Sequence, residues 1–332
     1  MIQLHVCPST LAEGFDTYSP SARKILFDGL KVSHCLSFPS PASDAREAKE
    51  AVKNAGRISL SGAQPKFSMV IGENLSLRYT VESEQGTYIL KPRPNGYQLM
   101  NKEYCAANEH LTMQIASQAY NIETAANGLC FFLDDEPAYI TRRFDVYSGG
   151  KYQQEDFASL MGYTKANGGS DYKYCNGSYE ECAEIIARFV KASRIDILRF
   201  FRLVLFNFIS LNDDAHLKNF SLVNRGKEYR LSPAYDLINT SLHLYEPRIF
   251  ALDKGLFREG MVTDDTHSVG YKEFLEFGKR IGIPENMAKR ELERFSKDNP
   301  LVDSLIDRSF LSAPLKKQYR LSMNYRRKML TF

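Results

Sequence analysis

The chain has 332 residues, enough for two lobes or domains, and its 43% hydrophobic and 25% charged residues are ordinary for a soluble globular protein with a core to bury. A formal net charge of +3 gives no global case for nucleic-acid binding, and six cysteines without a CxxC pair indicate neither a zinc site nor a disulfide framework, which suits a reducing cytoplasm. The start, MIQLHVCPSTLAEGF, lacks the basic n-region and apolar core of a secretory signal, and no stretch is long enough to span a bilayer, so a cytoplasmic protein without a membrane partner is expected.

In chain order, SARKILFDGLKV reads as a short amphipathic helix, and the Ser- and Pro-rich SHCLSFPSPAS over 33–43 reads as a linker. DAREAKEAVKNAGR is expected to be a helix, capped by Ser43 or Asp44, filled with Ala, Glu and Lys, and ended by Gly56. From 57 to 94 follow a strand, the small-residue loop SLSGAQPK, another strand, and YILKP with Lys91 at the end of an apolar run. Such a loop lets backbone N–H groups approach phosphates, and a lysine on a following strand can pair with them. Taken alone, the loop suits an ordinary hairpin turn better than a phosphate cradle, because it is neither GxGxxG nor GxxxxGK[ST].

NEHLTMQIASQAYNIETA places Leu111, Ile115 and Ala119 four residues apart, the spacing of a helix packed on a sheet. Glu109, at the start of that string, either pairs with Lys91 or sits in solvent favoured by the helix dipole. GLCFFL and PAYITRRFDVY are two strands, and residues 142–145 after them form a hinge in which Phe144 covers a nucleotide base or fills core. The polar, Gly-rich YTKANGGSDYKYCNG over 163–177 is expected to be a mobile loop.

The best candidates for catalysis lie within 205–236, LFNFISLNDDAHLKNFSLVNRGKEYRLSPAYD. FFRLVLFNFISL is a buried helix leading into a loop, and FSLV and YRLS are two short strands joined by a turn containing Gly226. Asp214 and Asn219 stand five positions apart in DAHLKN, and Asp236 follows in SPAYD. In a protein kinase one Asp accepts the substrate hydroxyl proton, an Asn five residues later holds Mg²⁺, and a later Asp holds Mg²⁺ against the nucleotide. Oxygen donors of this kind are what that ion prefers. His216 occupies the slot two residues after the Asp where one branch of protein kinases places a lysine for the transferring phosphate, and Lys218 adjoins Asn219.

Beyond 236, NTSLHLYEPRIFALDKG suggests a strand pair near the site, and His243 and His267 look like surface or packing histidines. Two amphipathic helices, 271–281 and 284–295, are separated by Gly282 and Pro284, and the basic tail KKQYRLSMNYRRKMLTF suits a solvated helix face better than a nucleic-acid surface.

SLSGAQPK with YILKP, TRRFD, QEDFASLMG, FFRLVLFNFISL, NDDAHLKNFSL and SPAYD together resemble, in order, the HipA family of bacterial serine/threonine kinase toxins, over about 57–236. In length the chain resembles the short HipT-like form. The resemblance implies an α+β, two-lobed protein-kinase-like fold: an N-terminal segment and linker (1–43), a small β-rich N-lobe (44–145) and a mostly helical C-lobe (146–332). It implies ATP and Mg²⁺ as cofactors, with Asp214 as catalytic base, His216 and Lys218 on the motif's His and Lys, and Asn219 and Asp236 as metal ligands. Ser59, Leu60, Ser61, Gly62, Ala63, Gln64 and Lys66 would cover the phosphates that Lys91 contacts. Full-length relatives often carry Glu before RFD, where this chain has Arg142.

Family members also autophosphorylate a serine in that loop, and Ser59 and Ser61 resemble the double-serine version of short forms. A phosphate there would add about −1.5 to −2 charges beside the triphosphate and displace the loop or the nucleotide. Turn chemistry is the local alternative for two such serines. The implied substrate is a protein, of the class of aminoacyl-tRNA synthetases; the implied partners are a helix-turn-helix antitoxin, a small HipS-like protein, and DNA only through the antitoxin. Two other functions share these residues: a kinase-fold enzyme with a small-molecule acceptor, and a catalytically silent antitoxin-binding scaffold. Intact Lys91, Asp214, Asn219 and Asp236 disfavour the second.

Overall fold

In the computed structural model, residues 2–41, 64–95, 99–226, 228–261 and 268–332 are described. The helix expected over 44–57, the loop positions 59–63 and His267 lie outside them.

Strands β1 (Phe67–Ile71), β2 (Leu77–Tyr79), β3 (Tyr88–Lys91), β4 (Asn127–Phe131) and β5 (Pro137–Arg142) make one antiparallel sheet in the order β2-β1-β3-β5-β4. The β3–β5 register pairs Lys91 with Tyr139 and Leu90 with Ile140, which fixes where the lysine leaves the sheet. Every residue of β4 is buried, because both faces of the sheet are covered. One cover is the N-terminal segment. Helix α1 (Pro20–Phe27) starts at Ser19, whose side chain accepts from the Ala22 N–H, with Pro20 preset for the first turn. Tyr18, Leu26 and Phe27 pack on Leu90, Cys130 and Ile140, and the Tyr18 hydroxyl donates to Leu129 O at 2.7 Å. The string read as a linker is part of this cover as far as residue 41. His34 O accepts from Phe131 N–H, and Leu36 N–H donates to Phe131 O at 2.7 Å, so this stretch extends the sheet edge.

The other cover is α2 (Cys105–Gln114), which begins three residues earlier than NEHL suggests and is buried along its whole length. Its polar side chains are paired at long range. Asn108 Nδ2 donates to Asn239 O at 2.8 Å and meets His243 Nε2 at 2.9 Å, His110 Nε2 donates to Ser9 O at 2.8 Å, and Thr112 Oγ1 is 2.9 Å from Tyr319 Oη.

The helical lobe follows the short pair β6 (Val146–Tyr147) and β7 (Gly150–Lys151), and β8 (Gln153–Asp156). Asp156 caps α3 (Phe157–Leu160) by accepting from Ser159 N–H at 2.9 Å. Residues 163–177, expected as a mobile loop, contain α4 (Lys165–Gly168) and α5 (Tyr172–Cys175). Burial of Tyr174 against the loop that carries Asp214 organises this stretch. Helices α6 (Tyr179–Phe189) and α7 (Ser193–Ile209) form the core of the lobe, with β9 (Ser221–Asn224) and β10 (Tyr229–Leu231) completing a β10-β9-β8 sheet. The strand pair expected after 236 is absent among the described residues there. Instead Asn239 caps a 3-10 turn, Thr240–Leu242, and His243 is buried behind it.

Helices α8 (Tyr271–Arg280), α9 (Glu285–Ser296), α10 (Pro300–Arg308) and α11 (Ala313–Lys328) close the lobe around α7. Phe208 and Phe274 meet edge to face with centroids 5.0 Å apart. The basic tail is α11; Tyr319 is buried, and Arg320 bonds Asp303 and Asp307 of α10 at 2.7 Å each. None of the described helices is long and apolar enough to cross a membrane.

Candidate active site

The apolar helix α7 ends at Ile209 and the chain reverses at Leu211, where φ is 54°. Thr240 Oγ1 donates to Leu211 O at 2.6 Å, and Asn212 Nδ2 donates to Asn207 Oδ1 at 3.1 Å, which holds the loop that follows. Within it, buried Leu217 anchors a 3-10 turn, Leu217–Asn219. Asn219 Nδ2 donates to Asp214 O at 2.8 Å, so its Oδ1 is the amide atom available to the cleft. The Asp214 carboxylate is buried and receives the Tyr174 hydroxyl at 2.6 Å.

The β9–β10 hairpin returns the chain to this loop. Tyr235 Oη donates to Lys218 O at 2.9 Å, and Ala234 bonds the backbone at 123–125 ahead of β4, linking the hairpin to the small sheet. Asp236 then takes a left-handed φ of 55°, a geometry Asp tolerates better than most residues. From the sheet side comes Lys91. Its Nζ is 2.5 Å from Glu109 Oε1 and also bonds Asp236 Oδ1, while Lys66 Nζ lies 3.4 Å from Asp236 Oδ2. Glu109 is thus a buried partner of Lys91 in mid-helix, and the reading of a solvated N-terminal glutamate is set aside.

Burial opposes the Lys91 charge, but the Asp236 and Glu109 carboxylates outweigh it and raise the pKa. Burial also works against the Asp236 anion, and Lys91 with Lys66 overcomes it, holding the carboxyl well below its usual range. Glu109 goes the other way: burial pushes it up to about 7, with Lys91 opposing and Asp236 adding to the rise. Lys91 and Asp236 are therefore the tight pair, and Glu109 is the weaker third member.

The cleft beside this triad has a volume of about 300 Å³ and is lined by Lys66, Lys173, His216, Lys218, Asn219 and Asp236, with Gln154, Asp156, Ser221 and Tyr235 completing the wall. Lys218 Nζ is tied to Asp156 Oδ2 at 2.6 Å. His216 is buried edge-on to Tyr174, with centroids 5.0 Å apart, and neither ring nitrogen has a hydrogen-bond partner among the described residues. Burial lowers its pKa to about 4, so the ring is neutral near pH 7. Gln64 turns away from the cleft, its Nε2 donating to Pro92 O at 3.0 Å. Phe144 does not line this cleft. It packs on Tyr235 at 5.6 Å and borders a neighbouring cavity of about 390 Å³ with Arg143 and Tyr152. Arg142 is held by Asp28 through two bonds of 2.6 and 2.7 Å, which commits its side chain to the α1 terminus.

Of the predicted residues, the structure brings Lys66, Lys91, Asp214, His216, Lys218, Asn219 and Asp236 to one place. Lys173, Asp156 and Tyr235 line the same wall, and Tyr174 bonds Asp214, without any of the four having been singled out as site residues. The aromatic pair in DYKYC, within an otherwise polar string, was the available signal for Tyr174.

The donor set fits Mg²⁺ held jointly with a nucleotide. Asn219 Oδ1 and the Asp236 carboxylate are hard oxygens on one cleft, and no cluster of three or more His, Cys, Asp or Glu suited to a metal exists among the described residues. An ion that completes its shell with phosphate oxygens and water needs no more than that.

The HipA-like C-terminal domain family matches residues 58–300. The chain belongs to this HipA-like family. A Haemophilus influenzae protein named "Putative kinase" is 27% identical over 275 residues, 77% of each chain. A Sinorhizobium fredii protein, also named a "Putative kinase", is 27% identical over 304 residues, 85% of this chain and 70% of its own. Among solved structures, HipA of Shewanella oneidensis, determined with HipB and its operator DNA, superimposes with a TM-score of 0.66 at 18% identity, covering 88% of this chain and 73% of that one. The α+β, two-lobed architecture is that of HipA.

Proposed function

We propose that this HipA-like protein is an ATP- and Mg²⁺-dependent serine/threonine protein kinase. The observation that carries the reading is Lys91 bridging Glu109 and Asp236, with Asn219 and Asp214 on the loop beside them. ATP with Mg²⁺, when bound, supplies a phosphoryl group whose bond to the β–γ bridging oxygen breaks as a bond to the acceptor hydroxyl oxygen forms, releasing ADP. Asp214 orients that hydroxyl and takes its proton. Asn219 and Asp236 would hold the metal, Lys91 would steady the phosphates, and Lys66 would close on them from the sheet side. His216 and Lys218 shape the acceptor side of the cleft.

The resemblance and the relatives support a wider reading. The protein acts as the toxin of a HipBA- or HipBST-like toxin–antitoxin system, in the short HipT-like form, as a cytoplasmic protein. The Shewanella HipA structure holds HipB and operator DNA, which supports a helix-turn-helix antitoxin here, with DNA reached only through it. A small HipS-like protein is the further partner, and an aminoacyl-tRNA synthetase is the substrate class. The lobes run over 44–145 and 146–332, with the N-terminal segment packed on the sheet of the first, and autophosphorylation falls on Ser59 or Ser61.

The test is incubation of purified protein with ATP and Mg²⁺ beside an Asp214→Asn variant, followed by intact mass and site mapping. The variant should fold and bind nucleotide yet transfer at least about a hundredfold more slowly. Near-normal transfer by Asp214→Asn would sink the assignment. Nucleotide binding without incorporation into protein, in wild type, would move the reading to a small-molecule acceptor.

A further inference from the structure

We propose that Tyr235 is a positioning residue whose hydroxyl sets the spacing of the two metal-holding side chains, Asn219 and Asp236. The inference rests on the kinase reading above.

Asn219 and Asp236 reach one cleft from two segments, and the bonds around each differ. Asn219 is held within the helical lobe, its N–H donating to His216 O at 2.8 Å and its Nδ2 to Asp214 O at 2.8 Å. Asp236 leans the other way. Its carboxylate bonds Lys91 and Lys66, both on the sheet side, and Ala234 exchanges backbone bonds with Glu123 and Ala125 at 2.8 and 2.9 Å. The backbone ladder between the two segments has already ended, with Ser232 N–H on Ser221 O at 2.9 Å. Asn212 Nδ2 also reaches the Asp236 carbonyl, but at 3.4 Å. Asp236 sits at a left-handed φ of 55°, a conformation that persists only where its surroundings hold it.

Tyr235 spans this gap. Its hydroxyl donates to Lys218 O at 2.9 Å, so the residue before Asp236 is bonded to the residue before Asn219, seventeen positions earlier. The hydroxyl is itself held. Gln154 Nε2 donates to Ser221 Oγ at 3.1 Å, and Ser221 Oγ lies 2.5 Å from Tyr235 Oη. Since Tyr235 gives its proton to Lys218 O, Ser221 is the donor in that contact, and each hydroxyl of the chain gives one hydrogen bond and accepts one. Burial raises the Tyr235 pKa, which keeps the proton in place. Gln154, Lys218, Ser221 and Tyr235 all line the cleft beside the two metal-holding residues. Mg²⁺ demands a tight, near-octahedral shell, so its affinity depends on the spacing at which ligand oxygens are presented, and bonds from outside the shell fix that spacing.

A tyrosine that only fills space makes a different prediction. Tyr235→Phe keeps the ring against Phe144 and removes the hydroxyl. Mn²⁺, a paramagnetic stand-in for Mg²⁺, is titrated into the ADP complexes of wild type and variant, and free Mn²⁺ is read by electron paramagnetic resonance, with Mg²⁺ and Ca²⁺ as competitors. In Tyr235→Phe, ADP affinity without metal should stay within about twofold, while Mn²⁺ should bind about tenfold or more weakly. Ca²⁺ accepts irregular shells, so Mg²⁺ should lose more affinity than Ca²⁺ does. Equal Mn²⁺ affinity in the two proteins overturns the inference. An equal loss for Mg²⁺ and Ca²⁺ overturns it as well, being the result of a general loosening. If thermal unfolding shows that Tyr235→Phe does not fold, Ser221→Ala, which removes the donor to the Tyr235 oxygen, takes its place: weaker Mn²⁺ with the larger loss for Mg²⁺ supports the inference, and unchanged Mn²⁺ overturns it. Wild type that fails to hold Mn²⁺ with ADP would remove the kinase reading and this inference with it. Wild type that holds both, with the variant unchanged, would remove this inference alone.

Discussion

Glu109→Gln tests how the charged centre of the site is wired. One buried ammonium, Lys91, meets two carboxylates, Glu109 and Asp236, and the second cation, Lys66, is more exposed and of the two reaches only Asp236, at 3.4 Å, so Glu109 is the carboxylate with the least compensation. Burial pushes Glu109 up to about 7 from the ordinary 4.5. The folded protein thus binds this proton more tightly than the unfolded chain does. The stability it brings is complete below about pH 4.5 and is lost as the pH rises through about 7. At about 1.4 kcal/mol per pH unit, the interval amounts to roughly 3 kcal/mol by pH 8. Glutamine keeps the shape and accepts from Lys91 without the charge. Glu109→Gln should therefore gain up to about 3 kcal/mol at pH 8 and change little at pH 4.5, measured by urea unfolding at both values. Phosphoryl transfer should fall in the same variant, because Lys91 is then left to Asp236 alone, competing with the metal. Leaving half of a buried pair unmatched usually costs about 3–5 kcal/mol. A loss of that size at pH 8 would refute the reasoning and make Glu109, not Asp236, the principal partner of Lys91.

Two further substitutions probe the base and the core. Tyr174→Phe removes the hydroxyl on Asp214 Oδ1, and the loss of a hydrogen bond to a carboxylate should slow transfer by about tenfold or more with ATP affinity unchanged; an unaltered rate would free Asp214 from dependence on α5. His110 is buried with Nδ1 unpartnered among the described residues, and burial lowers its pKa to about 4 from 6.5. The stability it supplies is present above pH 6.5 and lost as the pH falls through about 4, a decline worth roughly 3 kcal/mol that His110→Gln should flatten in urea unfolding between those values. An acid limb of unchanged slope would show that other groups carry it.

The parts of the site that sequence made legible are those whose chemistry and spacing are local. Asp214 and Asn219 sit on one turn, and Asp236 follows one hairpin later, so order along the chain nearly fixes order in space. Lys91 was legible for a similar reason, since an apolar strand that ends in a lysine leaves it at the sheet's edge. Tyr174 was not, because its value lies in a bond to Asp214 forty residues away, and the string around it, GGSDYKYCNG, is mostly polar and Gly-rich. The linker reading failed in the same way over its described part, 33–41. Ser and Pro describe a chain that forms no helix, but they do not say whether its backbone will find a strand edge such as Phe131.

Helix α2 shows where hydrophobic periodicity stops being informative. Leu111 and Ile115 announce a helix, yet Asn108, Glu109, His110 and Thr112 are as deeply buried as they are. A buried polar group must find a partner, and for Asn108, His110 and Thr112 it comes from more than a hundred residues away. Asn108 bonds Asn239 and His243, just beyond Asp236, while its neighbour Glu109 reaches Lys91. The two carboxylates that share the lysine are therefore held by one connected network. Swinging α2 away from the cleft would leave the Asn239 carbonyl and the Tyr319 hydroxyl buried without these bonds, at about 1–3 kcal/mol for each unsatisfied group. That cost keeps Glu109, Lys91 and Asp236 assembled before any nucleotide arrives.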